Sequence, residues 1–269
     1  MSRAATAVCL LFCVAAIMSA CGIPANASAE TGSRSPATPS SGAPSDEWPR
    51  TINRNCTEDE PCAFAPGQYE LGLNPESGVI MAGLGFTLAE TWESRELWLA
   101  ELNLNPPGIP DDTLRMWIDP PRTDAKGHPD PSFANTTQGI IASLTANPNL
   151  TVSPPEATSI GTLAGTAVAV QVSPGAQNVD GDCPPVGVPC AVMLGAGIGS
   201  PVRVRLYVAD LESSEGPHTL VVALEGQDQQ RLDALETRAA TLIGSVTLPE
   251  PYLLTVWCRP DESAPAIRC

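Results

Sequence analysis

Nine cysteines constrain this chain more than any other feature, because the last six fall into three close pairs. Cys56 and Cys62, Cys183 and Cys190, and Cys258 and Cys269 each bracket a proline-rich or polar loop. An even set of cysteines in an oxidising compartment reads as a disulfide framework, although sequence alone leaves every connectivity open. Local pairing, 56 with 62, 183 with 190 and 258 with 269, is the first expectation. A thiolate metal site would want CxxC spacing or cysteines combined with histidines. Neither pattern is present, so no metal site and no cofactor are expected.

The framework presupposes export, which the N-terminus provides. Arg3 supplies a positive n-region, and the apolar run from Ala4 to about Ile17 is shorter than the roughly 20 residues a spanning helix needs. At its end Met18-Ser19-Ala20-Cys21 has the form of a bacterial lipoprotein lipobox, with Gly22 after it and Met18 where leucine is usual. Residues 1–20 are therefore expected to be a cleaved lipoprotein signal peptide, taking Cys9 and Cys13 with them. Cys21 becomes the lipid-bearing N-terminus on the extracytoplasmic face of the cell membrane. The alternative, an ordinary secretory signal cut near Ala20, exports the same domain without an anchor.

Each buried methylene of an acyl chain contributes about 0.8 kcal/mol, and stable anchoring needs more than one chain. A diacylglyceryl group on Cys21 meets that need. From Gly22 to Ser45 nearly every residue is Pro, Ser, Ala, Gly or Thr. Such a composition cannot bury enough apolar surface to offset its ordering entropy, so residues 21–50 are expected to be a disordered tether. Its reach as a flexible coil is roughly 30 Å.

Residues 51–269 are long enough for one extracytoplasmic domain with its own core, closed by a tail stapled at Cys258 and Cys269. The formal charge of −16 falls by one when Arg3 leaves with the signal, and Lys126 is the single lysine. That balance argues against nucleic acid, which calls for a basic stripe, and against direct adhesion to anionic headgroups. The acyl chains alone are left to hold the membrane. Partners are expected among envelope proteins, lipids or glycans.

Hydropathy patterning reads mostly as strands. Tyr69, Leu71 and Leu73 alternate with polar neighbours until Asn74-Pro75. Phe86 to Glu90 and Glu96 to Leu104 form two more strands, with Trp92 and a polar turn between them. In 114–119 the residues Leu114, Met116 and Ile118 share a face, and Pro120-Pro121 ends the run. Thr136 or Thr137 caps a helix carrying Ile140, Ile141 and Leu144 that stops at Asn147-Pro148.

Strands follow at Leu150 to Ser153, Ala157 to Thr162 and Thr166 to Val172, the last two joined through Leu163-Ala164-Gly165. Val202 to Val208 and His218 to Leu224 make a hairpin around Glu212 to Gly216. A helix from Asp228 to Ile243 places Leu232, Leu235, Ala239, Leu242 and Ile243 on one face and stops at Gly244. A final strand lies at Ser245 to Leu248 or Tyr252 to Val256. Strands joined by hairpins, with about two packed helices and no βαβ alternation, specify an α+β domain built on an antiparallel β-sheet.

Several local motifs accompany this order: Pro66-Gly67-Gln68-Tyr69, then Phe86-Thr87-Leu88 and Trp92, then Ile118-Asp119-Pro120-Pro121. A helix and strand over Leu144 to Val152 and a hairpin over Ser159 to Gly165 come next. Across Pro66 to Leu248 this pattern resembles a group of actinobacterial, mycobacterial-type cell-envelope lipoproteins. The resemblance implies an envelope location and carries no activity or catalytic residue. The hairpin, strand and late amphipathic helix are also similar to PsbP-like domains, a likeness of fold that transfers no function.

The catalytic inventory is thin. His128, in the turn Lys126-Gly127-His128-Pro129-Asp130, and His218, after Pro217, are the available imidazoles, and both are expected to be structural. There is no Gly-x-Ser-x-Gly elbow, His-Glu-x-x-His or Gly-x-x-x-x-Gly-Lys. Gly195-Ala196-Gly197-Ile198-Gly199 lacks dinucleotide-loop spacing and reads as a flexible turn. Asn178, Asp180 and Asp182 do not follow the order of a calcium loop. Trp48, Trp92, Trp98, Trp117 and Trp257 are assigned to core or hairpin packing ahead of a ligand pocket. The chain is thus expected to be a lipid-anchored binding or accessory module. The alternative is a carboxylate-dependent hydrolase acting on a cell-envelope glycan, since paired carboxylates suffice for that chemistry.

Overall fold

The computed structural model describes residues 49–52, 56, 60–72, 83–95, 97–98, 101–176, 183, 188–213 and 216–248. The signal peptide, Cys21, nearly all of the tether, Trp48, Leu73, Asn178, Asp180, Asp182, Tyr252 to Val256, Trp257, Cys258 and Cys269 lie outside these residues. The N-terminal layer comprises short strands: β1 Arg50–Ile52, β2 Cys62–Phe64, β3 Gly67–Leu71, β4 Gly85–Leu88 and β5 Trp92–Ser94. Strand β1 thus begins inside the stretch assigned to the tether.

Strands β6 Leu97–Trp98, β7 Glu101–Leu104 and β8 Thr113–Ile118 lead to helix α1, Thr137–Ala146. Then come β9 Leu150–Val152, β10 Glu156–Ile160, β11 Leu163–Val172, β12 Cys190–Met193, β13 Ala196–Gly199, β14 Arg203–Ser213, β15 Gly216–Gly226 and helix α2, Gln229–Gly244.

Eight strands form the main sheet in the order β10-β11-β14-β15-β8-β7-β6, with β9 pairing beside β11, and all its pairings are antiparallel. The fold is α+β as expected. One departure from the antiparallel expectation is β1, which runs parallel to β3 with Arg50 opposite Tyr69.

Strand β15 shows why the sheet needs two covering layers. Residues 219–226 are buried without interruption. Leu220, Val222 and Leu224 join one core with Met116, Trp92, Tyr69 and Leu235; Val221 and Ala223 join another with Trp117, Ile140, Val170 and Met193. Helix α2 and the N-terminal strands cover the first face, while α1 and the β12–β13 hairpin cover the second. Each such aliphatic side chain contributes about 1.5–3 kcal/mol relative to exposure.

Both helices are capped as their sequences dictate. The Thr136 hydroxyl accepts from the Gly139 amide at 3.1 Å, and the Asp228 carboxylate accepts from the Arg231 amide at 2.9 Å. The five apolar residues expected on the late helix are the ones buried there, and Gly244 is the last helical residue, with Ser245 as cap. Thr247 then bridges Gly85 antiparallel, as an expected strand at Ser245 to Leu248 requires.

Four expectations are corrected. Trp92 lies in a strand, opposite Phe64 and 1% exposed, because its indole fills the N-terminal core. The stretch Glu96 to Leu104 is a hairpin, Leu97 opposite Leu102, instead of one strand. The β10–β11 turn is Gly161-Thr162, with Gly161 at φ +56°, and Leu163 already pairs with Ile160. Finally, residues 196–199 form β13 and pair with β12; the turn is Leu194-Gly195, both at positive φ.

Two expected disulfides are present, Cys56–Cys62 and Cys183–Cys190. Among the described residues no helix is long and apolar enough to cross a membrane.

Gly139 supplies a test of how closely the segment leading into α1 packs on its first turn. Alanine ordinarily gains about 1 kcal/mol over glycine within a helix. A Cβ here would lie 2.0 Å from the carbonyl oxygen of Ala134. Gly139→Ala is therefore expected to lower stability by about 1–3 kcal/mol in urea melts; a gain would contradict this packing.

Candidate functional site

The register of β8 against β15 brings polar residues together at both ends of the buried strand. Ile118 faces Leu220, and the next pair outward is Asp119 and Thr219, whose Asp119 amide donates to the Thr219 carbonyl at 2.9 Å. Asp119 ends β8 with φ +52°, a conformation aspartate tolerates better than most residues. The twist aims its carboxylate back at the hairpin.

One oxygen, Oδ1, accepts from the Thr219 amide at 2.8 Å and from the Asn135 side-chain amide at 2.5 Å. The other, Oδ2, receives Nδ1 of His218. Thr219 Oγ1 donates to Asn135 Oδ1 at 3.0 Å, and Thr219 is fully buried. Beside this cluster the Asp210 carboxylate accepts from the Thr137 amide at 2.6 Å, placing negative charge at the start of α1.

Because a carboxylate only accepts, His218 Nδ1 is the donor in this pair and Nε2 points away from it. That orientation is half of an acid–base device. Nε2 is buried, with no hydrogen-bond partner among the described residues. The nearby hydroxyl of Thr219 is engaged by Asn135 and Asp119. In this arrangement the cluster locks the hairpin to the loop before α1; it does not present a nucleophile to solvent. His128, by contrast, is exposed, and its Nδ1 lies 3.6 Å from Asp124.

At the far end of β15, Glu225 is buried on the α1 face. Arg115 Nε lies 3.1 Å from Glu225 Oε1, and its Nη1 lies 3.5 Å from Glu101. Burial pushes the Glu225 carboxyl above the ordinary carboxylate range; Arg115 draws it down and Glu101 adds to the rise. The two carboxylates are bridged by one guanidinium.

The sequence missed the His218 pairing because Asp119 stands 99 positions away. The usable signal was the Asp-Pro-Pro terminus on β8, which forces the chain to turn where the hairpin starts. No group of three or more His, Cys, Asp or Glu side chains able to hold a metal ion occurs among the described residues. Trp92 and Trp117 are buried in the two cores. Val188 is the exposed large hydrophobic residue among those described.

No family model matches the chain, and no curated protein matches its sequence. Among solved structures, a crystal structure of LpqN, involved in cell envelope biogenesis of Mycobacterium tuberculosis, aligns with a TM-score of 0.33 and 11% identity. The alignment covers 74% of this chain and 88% of that one. At that score the likeness carries no argument about this chain.

Two expectations follow from the polar ends. Asp119→Ala strands His218 Nδ1, the Thr219 amide and the Asn135 amide, so a loss of about 2 kcal/mol or more is expected in urea melts. Asp119→Asn retains an acceptor and tolerates positive φ, and should cost less; equal losses would show that the carboxylate is not the lock.

Glu225 makes stability depend on pH. Its carboxyl holds a proton more tightly when folded than its ordinary value of 4.5, so its contribution is full below that pH and is lost as pH rises through the raised value. Asp124, lowered chiefly by the His128 amide, and Asp130, lowered by the Ser132 hydroxyl and amide, act oppositely. Their contributions are present above 3.8 and lost below it. Glu225→Gln is expected to flatten the decline in stability as pH rises above about 4.5. An unchanged slope would refute titration of this group.

Proposed function

We propose that the chain is a lipid-anchored extracytoplasmic module of a cell envelope, binding an envelope protein, lipid or glycan instead of transforming one. The reading is carried by the combination of the Met18 to Cys21 lipobox with disulfides at Cys56–Cys62 and Cys183–Cys190 in the domain behind it. A lipidated Cys21 would hold the domain where disulfides persist, and the tether would let it search a shell of roughly 30 Å around its anchor. The glycan-hydrolase alternative calls for two carboxyl groups flanking a substrate. Glu101 and Glu225 are spent instead on Arg115, and no observation favours that alternative.

The anchor is tested by intact mass of protein extracted from membranes. A diacylglyceryl thioether on an N-terminal Cys21 is expected, and Cys21→Ala should move the protein out of the membrane fraction. A mature N-terminus beyond Cys21, or an unmodified thiol there, overturns the reading. Turnover of an ester, peptide or glycan by the purified chain, abolished by changing one carboxylate or histidine, would overturn the binding role.

A further inference from the structure

The parallel pairing of β1 with β3 builds a hollow of about 290 Å3 in the N-terminal layer, at the low end of the size of small-ligand sites. Its floor is apolar: Ile52, Phe64 and Tyr69 line it and are each 5% exposed. Phe64 meets Tyr69 edge to face, and Phe86 stacks behind Tyr69. Its rim is polar on one side, with exposed Arg50 and Thr51, and is formed on the other by exposed Ala63 and Ala65.

Arg50 is held in place. Its guanidinium lies over the Tyr69 ring, 5.8 Å from the centroid, and Nη1 donates to the Tyr69 hydroxyl at 3.2 Å. That hydroxyl donates onward to the Ala65 carbonyl at 2.7 Å. Gly67 faces the guanidinium; a Cβ there would come within 3.7 Å of Cζ, so the cation lies close against bare backbone. A guanidinium has five N–H donors, and the hydroxyl takes one. In a chain of net charge −16, no carboxylate among the described residues pairs with Arg50, whereas Arg115, Arg205, Arg231 and Arg238 each meet one.

We infer that this hollow binds a small oxyanion on an apolar body, the anion against Arg50 and the body over Phe64 and Ile52. A planar fork suits a carboxylate or phosphate oxygen pair, and the hydrogen bond to the Tyr69 hydroxyl limits the side-chain freedom that binding would otherwise cost. The inference deepens the binding-module reading by naming a ligand class, which a free acid or the headgroup of an anionic lipid would both supply.

The test is titration of the full chain with benzoate, followed by amide NMR spectra. Saturable shifts confined to 50–52, 63–65 and Tyr69 are expected, with Arg50→Gln weakening binding about tenfold or more. Arg50→Lys, which keeps the charge and stem but loses the fork, should weaken it less, and guards against a fold defect in the glutamine variant. Dihexanoyl phosphatidylglycerol is the second probe. Tighter binding than benzoate assigns the oxyanion to a headgroup, and weaker binding assigns it to a free acid. Unshifted spectra with both probes, as when an acidic stretch of the chain itself fills the hollow, or equal binding by Arg50→Gln, overturn the inference. Cys21 mass is independent of either result, so failure here is distinct from failure of the anchor.

Discussion

Burial of β15 on both faces is the constraint from which the remaining architecture follows. An antiparallel sheet commonly leaves one face wet. Here alternate residues of one strand enter two different cores, so the chain must supply a cover for each. α2 follows β15 directly and folds back over one face; α1 and the β12–β13 hairpin are delivered to the other by segments on either side of β11. The polar groups at its two ends are met from β8 or its immediate continuation, His218 Nε2 excepted. Asp119 takes His218 and Thr219, while Arg115 takes Glu225. The same antiparallel register that buries the apolar middle therefore sets both polar clusters.

This explains which parts of the fold could be read in advance. α2 was legible to within one residue at its C-terminus, because an N-cap and a single apolar stripe are local signals. The pairing partners of β8 and β15 were legible as strands, yet their ends were not legible as a site, since Asp119 and His218 meet only through tertiary register. Trp92 was placed between strands because its own strand is three residues long and its indole is buried by distant elements. Residues 196–199 were misread for a related reason. Glycines at 195, 197 and 199 suggest flexibility, but Gly195 alone holds the turn, under Pro121, and the others sit in a paired strand. The hollow beside Arg50 was invisible because it depends on a parallel β1–β3 contact that no hairpin rule anticipates.

The two disulfides bear on how far the domain depends on where it is. They close loops with sequence separations of 6 and 7 residues. Chain-entropy reasoning assigns about 2 kcal/mol to a loop of that size, against more than 4 for a loop of about a hundred residues. Neither bridge joins distant layers. Cys56–Cys62 closes the loop that leads into β2, and Cys183–Cys190 closes the one that leads into β12. The sheet, with dozens of fully buried aliphatic groups worth about 1.5–3 kcal/mol each against a comparable entropy cost, decides the fold. The bridges restrict local loops at its two covering layers. Losing either bridge would therefore loosen a loop in one covering layer more than it would threaten the core.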